Sequence, residues 1–222
     1  PDAGEAEAIA EICVRLDGLP LAIELAAARG KLLSVEQIVA RLRDSLRILA
    51  SGGTDRPERQ RTLEGAIEWS YNLLLEPEQR LFARLAVFRG GFTLEAAEAV
   101  VGGAVPDLDT FDGLASLADK SLLRTVELPA ETRFAMLETI RQYAAMRLDA
   151  APDAAEAGRR HAGHYFEMAE AAEEHLTAAG GQAWLERLER EHDNLRAAFE
   201  RADELGMANE AASAAGALWR FW

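Results

Sequence analysis

The stretch RLDGLPLAIELAAAR (15–29) sets Gly18, Leu19 and Pro20 inside what otherwise reads as one amphipathic helix. Before the break, Ile9, Ile12, Cys13 and Leu16 recur at helical spacing; after it, Leu21, Ala22, Leu25 and Ala26 do the same. A helix interior disfavours Gly by about 1 kcal/mol and Pro by about 3, relative to Ala. Two helices joined by a sharp corner avoid both costs. Gly18 closes the first in the left-handed conformation, and Pro20 sits in the first turn of the second, where its missing N–H is no loss.

The same punctuation divides the rest of the chain, and a mainly α architecture in three parts is expected. Residues 1–54 form a small helical domain, in which Ser34 and Gln37 make a capping box before a third helix bearing Ile38, Leu42, Leu46 and Leu49. SGGTDRPERQ (51–60) lacks apolar periodicity and reads as a linker. Residues 55–150 hold a helix over 62–74, a second opened by Pro77, a third capped by Thr93 and ended by Gly102, and a fourth capped by Asp109. There the period changes: SLLRTVE (121–127) and RFAM (133–136) are strand-like around the turn LPAET, and a last helix follows. Helices, a β-hairpin and a final helix outline a winged-helix domain. Residues 151–222 are helical with turns at Gly180-Gly181 and Gly206, as at the start of a tetratricopeptide-like array.

Charge narrows the function. The 222 residues carry a net charge of −14, and all three parts are acidic. A groove-reading helix presents Arg, Lys, Asn or Gln to bases and phosphates. The fourth helix of the middle part instead offers Asp109, Asp112 and Asp119 against Lys120, so direct DNA binding is not expected. No apolar run approaches the ~20 residues that a membrane span needs, no signal segment opens the chain, and Cys13, on an apolar helix face, reads as a buried structural thiol. A cytoplasmic protein is expected. The start at Pro1 and the end in ALWRFW suggest a piece cut from a longer chain.

In this order, GLPLAIELAAAR (18–29), RTLEGAIEWSYNLL (61–74), LFARLAVFRGGFTLEAAEAV (81–100), LADKSLL (117–123), RFAMLETIRQYAAMRL (133–148) and WLERLEREHDNLRAAF (184–199) resemble the C-terminal half of signal-transduction ATPases with numerous domains, of the NB-ARC kind. The likeness is to bacterial LuxR-type or antibiotic-pathway transcriptional regulators. It implies a nucleotide switch that closes over ADP or ATP with magnesium, held by an upstream P-loop domain. The helical repeats would receive a protein or small-molecule signal, and the activated parent could oligomerise. It also implies that Gly18, Leu19 and Pro20 line the adenine side of the pocket; the alternative is a plain helical corner. Plant and animal relatives carry Met-His-Asp at the position of Met136, Leu137 and Glu138, where the histidine senses ADP. Leucine cannot donate a hydrogen bond to phosphate, so Glu138 is read as favouring the start of the next helix by its charge.

A phosphate-binding loop needs G-x-x-x-x-G-K-[ST]. The Gly30-Lys31 pair has Leu25 five residues before Gly30 and Leu32 after Lys31, so the chain carries no such loop. No catalytic residues and no cofactor of its own are expected. His161 and His164 stand three apart near Glu167, a spacing that could hold a metal, but they are read as structural. Trp69, Trp184, Trp219 and Trp222 are read as core anchors. Two rival readings remain, a helical protein-interaction scaffold and a DNA-binding winged helix. Calorimetry of the chain alone with ATP and ADP is expected to show no binding at micromolar concentrations. Tight binding would overturn the split-site reading.

Overall fold

The computed structural model describes residues 3–16, 20–50, 58–128, 131–176, 181–219 and 221. Its packing separates into two units, residues 1–79 with 115–123 and residues 80–114 with 124–222.

The first unit begins with α1 (Ala3–Arg15), α2 (Pro20–Ala28), a 3-10 turn (Arg29–Lys31), α3 (Val35–Ala50) and α4 (Glu58–Asn72). Helix α1 packs on α3, and both α2 and α3 pack on α4. Leu16, Leu25, Leu42 and Ile67 are buried at the centre. The capping box forms: the Gln37 amide donates to Ser34 Oγ at 3.3 Å, and the Ser34 amide to Gln37 Oε1 at 3.0 Å. Arg29 is buried, and its Nη2 donates to the Ser70 carbonyl at 3.1 Å, tying the end of α2 to α4. Two expectations change. Cys13 is half-buried and Ile9 exposed; Ile12 on α1 and Leu16 just after it are buried instead. Residues 58–60 are already helical, which shortens the linker; 51–57 lie outside the described residues.

The second unit takes its elements from α5 (Glu76–Arg84), a 3-10 turn (Leu85–Val87), α6 (Leu94–Val101), α7 (Thr110–Asp119), β1 (Arg124–Leu128), β2 (Glu131–Ala135) and α8 (Glu138–Asp149); α5 and α7 also contribute residues to the first. Thr93 caps α6 through the Ala96 amide (3.2 Å), Gly102 ends it at φ 50°, and Asp109 caps α7 through the Asp112 amide (3.1 Å). The hairpin is antiparallel, from Arg124 opposite Ala135 to Leu128 opposite Glu131; Pro129 and Ala130 of its turn lie outside the described residues. It starts three residues later than expected. Ser121 adopts φ 58°, the Leu122 amide returns to the Leu117 carbonyl (2.9 Å), and Leu122 and Leu123 are buried behind α7 instead of extending the strand. A third strand position, unmarked in the sequence, comes from Phe92, which exchanges backbone hydrogen bonds of 2.9 and 2.8 Å with Phe134. The rings of Phe88, Phe92 and Phe134 stack in series over this bridge.

Helices α9 (Ala154–Leu176), α10 (Gly181–Arg190), α11 (His192–Arg201) and α12 (Ala208–Ala217) complete the unit, and α9 packs against the other three and α6. Gly206 turns at φ 72°, whereas Gly180 lies outside the described residues. Trp69 is a core residue at 5% exposure, but Trp184 is half-buried and Trp219 is 64% exposed, so neither anchors the core as expected; Trp222 is not among the described residues. No described helix is long and apolar enough to cross a membrane.

Gly91 holds the approach to the third strand. Its φ is 143°, and an added Cβ would stand 3.1 Å from the Phe134 carbonyl oxygen. Gly91→Ala should therefore cost about 1–3 kcal/mol in a urea melt. An unchanged midpoint would mean that the loop can rearrange freely.

Candidate functional site

Of the corner 18–20, Gly18 and Leu19 lie outside the described residues, and Pro20 is the exposed first residue of α2. Met136 and Leu137 link β2 to α8, and Leu137 is the N-cap, with no side chain to offer. Glu138 opens α8 and is clamped in place. Arg141 donates to both its oxygens, Nε at 2.8 Å and Nη2 at 2.7 Å, and Gln142 adds a bond of 3.0 Å. The Arg141 hydrogen bonds hold this carboxylate well below its ordinary range, at about 2. The corner thus carries a fixed negative charge beside a residue without a donor. It suits the start of a helix and offers no side-chain donor to a phosphate from residues 136–138.

On α7, Phe111, Asp112, Ala115 and Asp119 are exposed. Lys120, just beyond it, is engaged: Nζ pairs with Glu78 Oε1 at 2.7 Å, and both groups bond to Ser116 Oγ. Burial pushes the Glu78 carboxyl up, but the hydrogen bonds from Lys120, Ser116 and the Leu75 amide outweigh this and hold it below its usual value. The Glu78 carboxyl is therefore held in its charged form beside Lys120. On β1, Arg124 is exposed alongside Thr125, Val126 and Glu127.

A dense polar cluster lies elsewhere in the second unit. Asn194 on α11 is fully buried. Its Oδ1 accepts from the Arg89 amide at 2.7 Å, and its Nδ2 donates to the Gly91 carbonyl at 2.7 Å and to Glu191 Oε2 at 2.9 Å. The same carboxylate oxygen accepts the Tyr165 hydroxyl at 3.1 Å, and Oε1 takes Nη1 of buried Arg133 from β2. Burial alone would lower the Arg133 pKa, but the bond and charge of Glu191 raise it above its ordinary value. One side chain thus holds the loop between the 3-10 turn and α6, while its neighbour one turn earlier holds the hairpin. The polar pairing of these residues was not read from the sequence. A signal existed: Glu191 and Asn194 fall on the same helical face as buried Leu195 and Ala198, where polar groups need partners.

His161 belongs to this neighbourhood. Its ring packs against Phe88 and Tyr165, and Nε2 is 3.5 Å from Asn194 Oδ1. Burial lowers its pKa to about 3, so the ring is neutral. Glu167 is exposed, and among the described residues no group of three or more His, Cys, Asp or Glu is placed to hold a metal.

Comparison with known proteins bears on the middle of the chain most directly. A family described as a winged helix-turn-helix domain matches residues 74–149. A protein of Mycobacterium tuberculosis named "Putative HTH-type transcriptional regulator" is 44% identical over 222 residues, covering 98% of this chain and 24% of that protein; one of the same name from Mycobacterium bovis matches equally. An uncharacterized protein of M. tuberculosis is 42% identical over 158 residues, 69% of this chain and 39% of its own length. The chain thus spans about a quarter of the length of the first two relatives. No solved structure matches it.

Asn194→Ala should leave the part-buried Arg89 amide and the buried Gly91 carbonyl without their partner, a loss of about 1–3 kcal/mol. Asp193→Ala, at the exposed neighbour, should stay within roughly 0.5 kcal/mol of the parent. Urea melts of both variants check this, and equal midpoints would show that the buried amide is not what holds the loop.

Proposed function

We propose that this chain is the regulatory part of a larger transcriptional regulator. The observation that carries the reading is the 44% identity, across 98% of the chain, to proteins named as HTH-type transcriptional regulators. Within that role, the order of the blocks from GLPLAIELAAAR to WLERLEREHDNLRAAF supports a nucleotide-operated switch. In this reading the two leading parts close over ADP or ATP bound by a P-loop domain of the parent, and this chain itself hydrolyses nothing. The Leu137 side chain has no hydrogen-bonding group and Glu138 is engaged with Arg141, so any side-chain contact to nucleotide from the sites named here would fall to the corner of Gly18, Leu19 and Pro20.

A second reading has a specific observation behind it. The winged helix-turn-helix match at 74–149, together with the relatives' names, favours DNA contact by this domain, against the expectation from charge. The chemistry of α7 weighs the other way. Affinity for duplex DNA comes chiefly from Lys and Arg neutralising phosphates; α7 and its cap bear three aspartates, and Lys120 is paired with Glu78. A shared fold does not by itself carry a shared ligand.

Fluorescence anisotropy with unrelated duplexes at low salt separates the two. The switch reading expects no salt-sensitive binding at micromolar protein. Binding that weakens steeply with salt, and that Arg124→Glu reduces, would establish the winged helix as a DNA contact.

A further inference from the structure

A cavity of ≈ 330 Å³ opens in the second unit between the start of α6, the hairpin end of β2, α9 and α10. That is the size of a small-molecule site, and its walls carry charged groups of two kinds. Some are already engaged. Glu191 is held by Arg133, Tyr165 and Asn194, and Glu131 stands 3.4 Å from both Arg133 and Arg190. Others hold ionic or hydrogen-bonding capacity in reserve. Arg187 lies with its guanidinium 5.0 Å from the centre of the Trp184 ring, a contact that leaves its N–H groups free; it has no ion pair among the described residues. Glu95 is exposed and makes no ion pair among the described residues, although Arg187 across the cavity is near enough to act on its charge. Its own amide and the Thr93 hydroxyl hold its carboxyl below the ordinary range, so it stays ionised. His164 touches the Tyr165 ring edge-on and has no hydrogen bond among the described residues. Burial lowers its pKa, which keeps the imidazole neutral, with one nitrogen to donate and one to accept.

The unspent chemistry is thus one cation, one anion and a neutral hydrogen-bonding ring, beside the apolar walls of Met168 and Ala96. A purely anionic guest would answer Arg187 and oppose Glu95; a purely cationic one would do the reverse. Desolvating either charge without a partner is unfavourable. We propose that this cavity binds a small zwitterion of the amino-acid class, its carboxylate on Arg187, its ammonium on Glu95 and its side chain toward Met168. The site draws on α6 of the winged helix and on α9 and α10 of the repeats, so an occupant would bridge the two. It would do so whether or not the winged helix touches DNA.

The test is calorimetry of the whole 222-residue chain with the twenty protein amino acids. The decarboxylated amine and the N-acetyl derivative of any that bind serve as controls. The expected result is saturable one-to-one binding of at least one amino acid. Either control should be weaker by roughly tenfold or more, the loss that follows from removing one charged contact. Arg187→Ala and Glu95→Gln should each weaken the amino acid by a similar factor, with melting midpoints near that of the parent. The proposal is overturned if no amino acid binds at millimolar concentration. It is equally overturned if the controls bind as well as the amino acid, or if both folded variants retain the parent's affinity.

Discussion

The buried amide of Asn194 is the contact on which the second unit turns. A loop with Gly90 and Gly91 at positive φ cannot join a regular ladder, and its part-buried Arg89 amide and buried Gly91 carbonyl need partners from elsewhere. Asn194 supplies one acceptor and one donor in the right places and hands its remaining hydrogen to Glu191. Glu191 can be buried because Arg133 and Tyr165 complete its shell. Each member is satisfied only because the others are present. Such a network favours one arrangement strongly and penalises every partial one. Phe92 can then reach Phe134, and the hairpin gains its third strand position.

Arginine plays a related part elsewhere in the same unit. Arg84 is buried and binds Asp153, Glu156 and the Val100 carbonyl, so it fixes the end of α5 to the start of α9. Arg141 joins Glu138 to the Ala86 carbonyl. With Arg133, three basic side chains of the winged helix are turned inward. Part of the domain's positive charge is thus committed to internal bonds.

The local elements were legible because their signals are local. Ser34 with Gln37, Thr93, Asp109 and Gly102 mark helix ends by chemistry confined to one turn, and each cap forms. The hairpin start was misplaced because Leu122 and Leu123 suit a strand as well as they suit a buried corner. Only the left-handed turn at Ser121, a conformation uncommon for a residue with a Cβ, decides between them. Cys13 and Trp219 were misjudged for another reason: an apolar stripe shows which side of a helix is apolar, not how far along it a partner extends. The cluster around Asn194 was harder still. Its bonds to Arg89 and Gly91 join residues more than a hundred positions apart, and nothing in either segment alone announces the other.

Helix α9 runs unbroken for 23 residues, from Ala154 to Leu176, a rod about 35 Å long. One end lies beside the Arg84 ion pairs, and near the other the ring of His175 stacks on Trp184. Between those ends the helix is also held by α6, α10, α11 and α12. A tilt of about five degrees would carry its far end through roughly 3 Å at that length, enough to dismantle the stack. A push of that size on the His175 end would therefore be shared among all four packed helices before it reached the Arg84 joint.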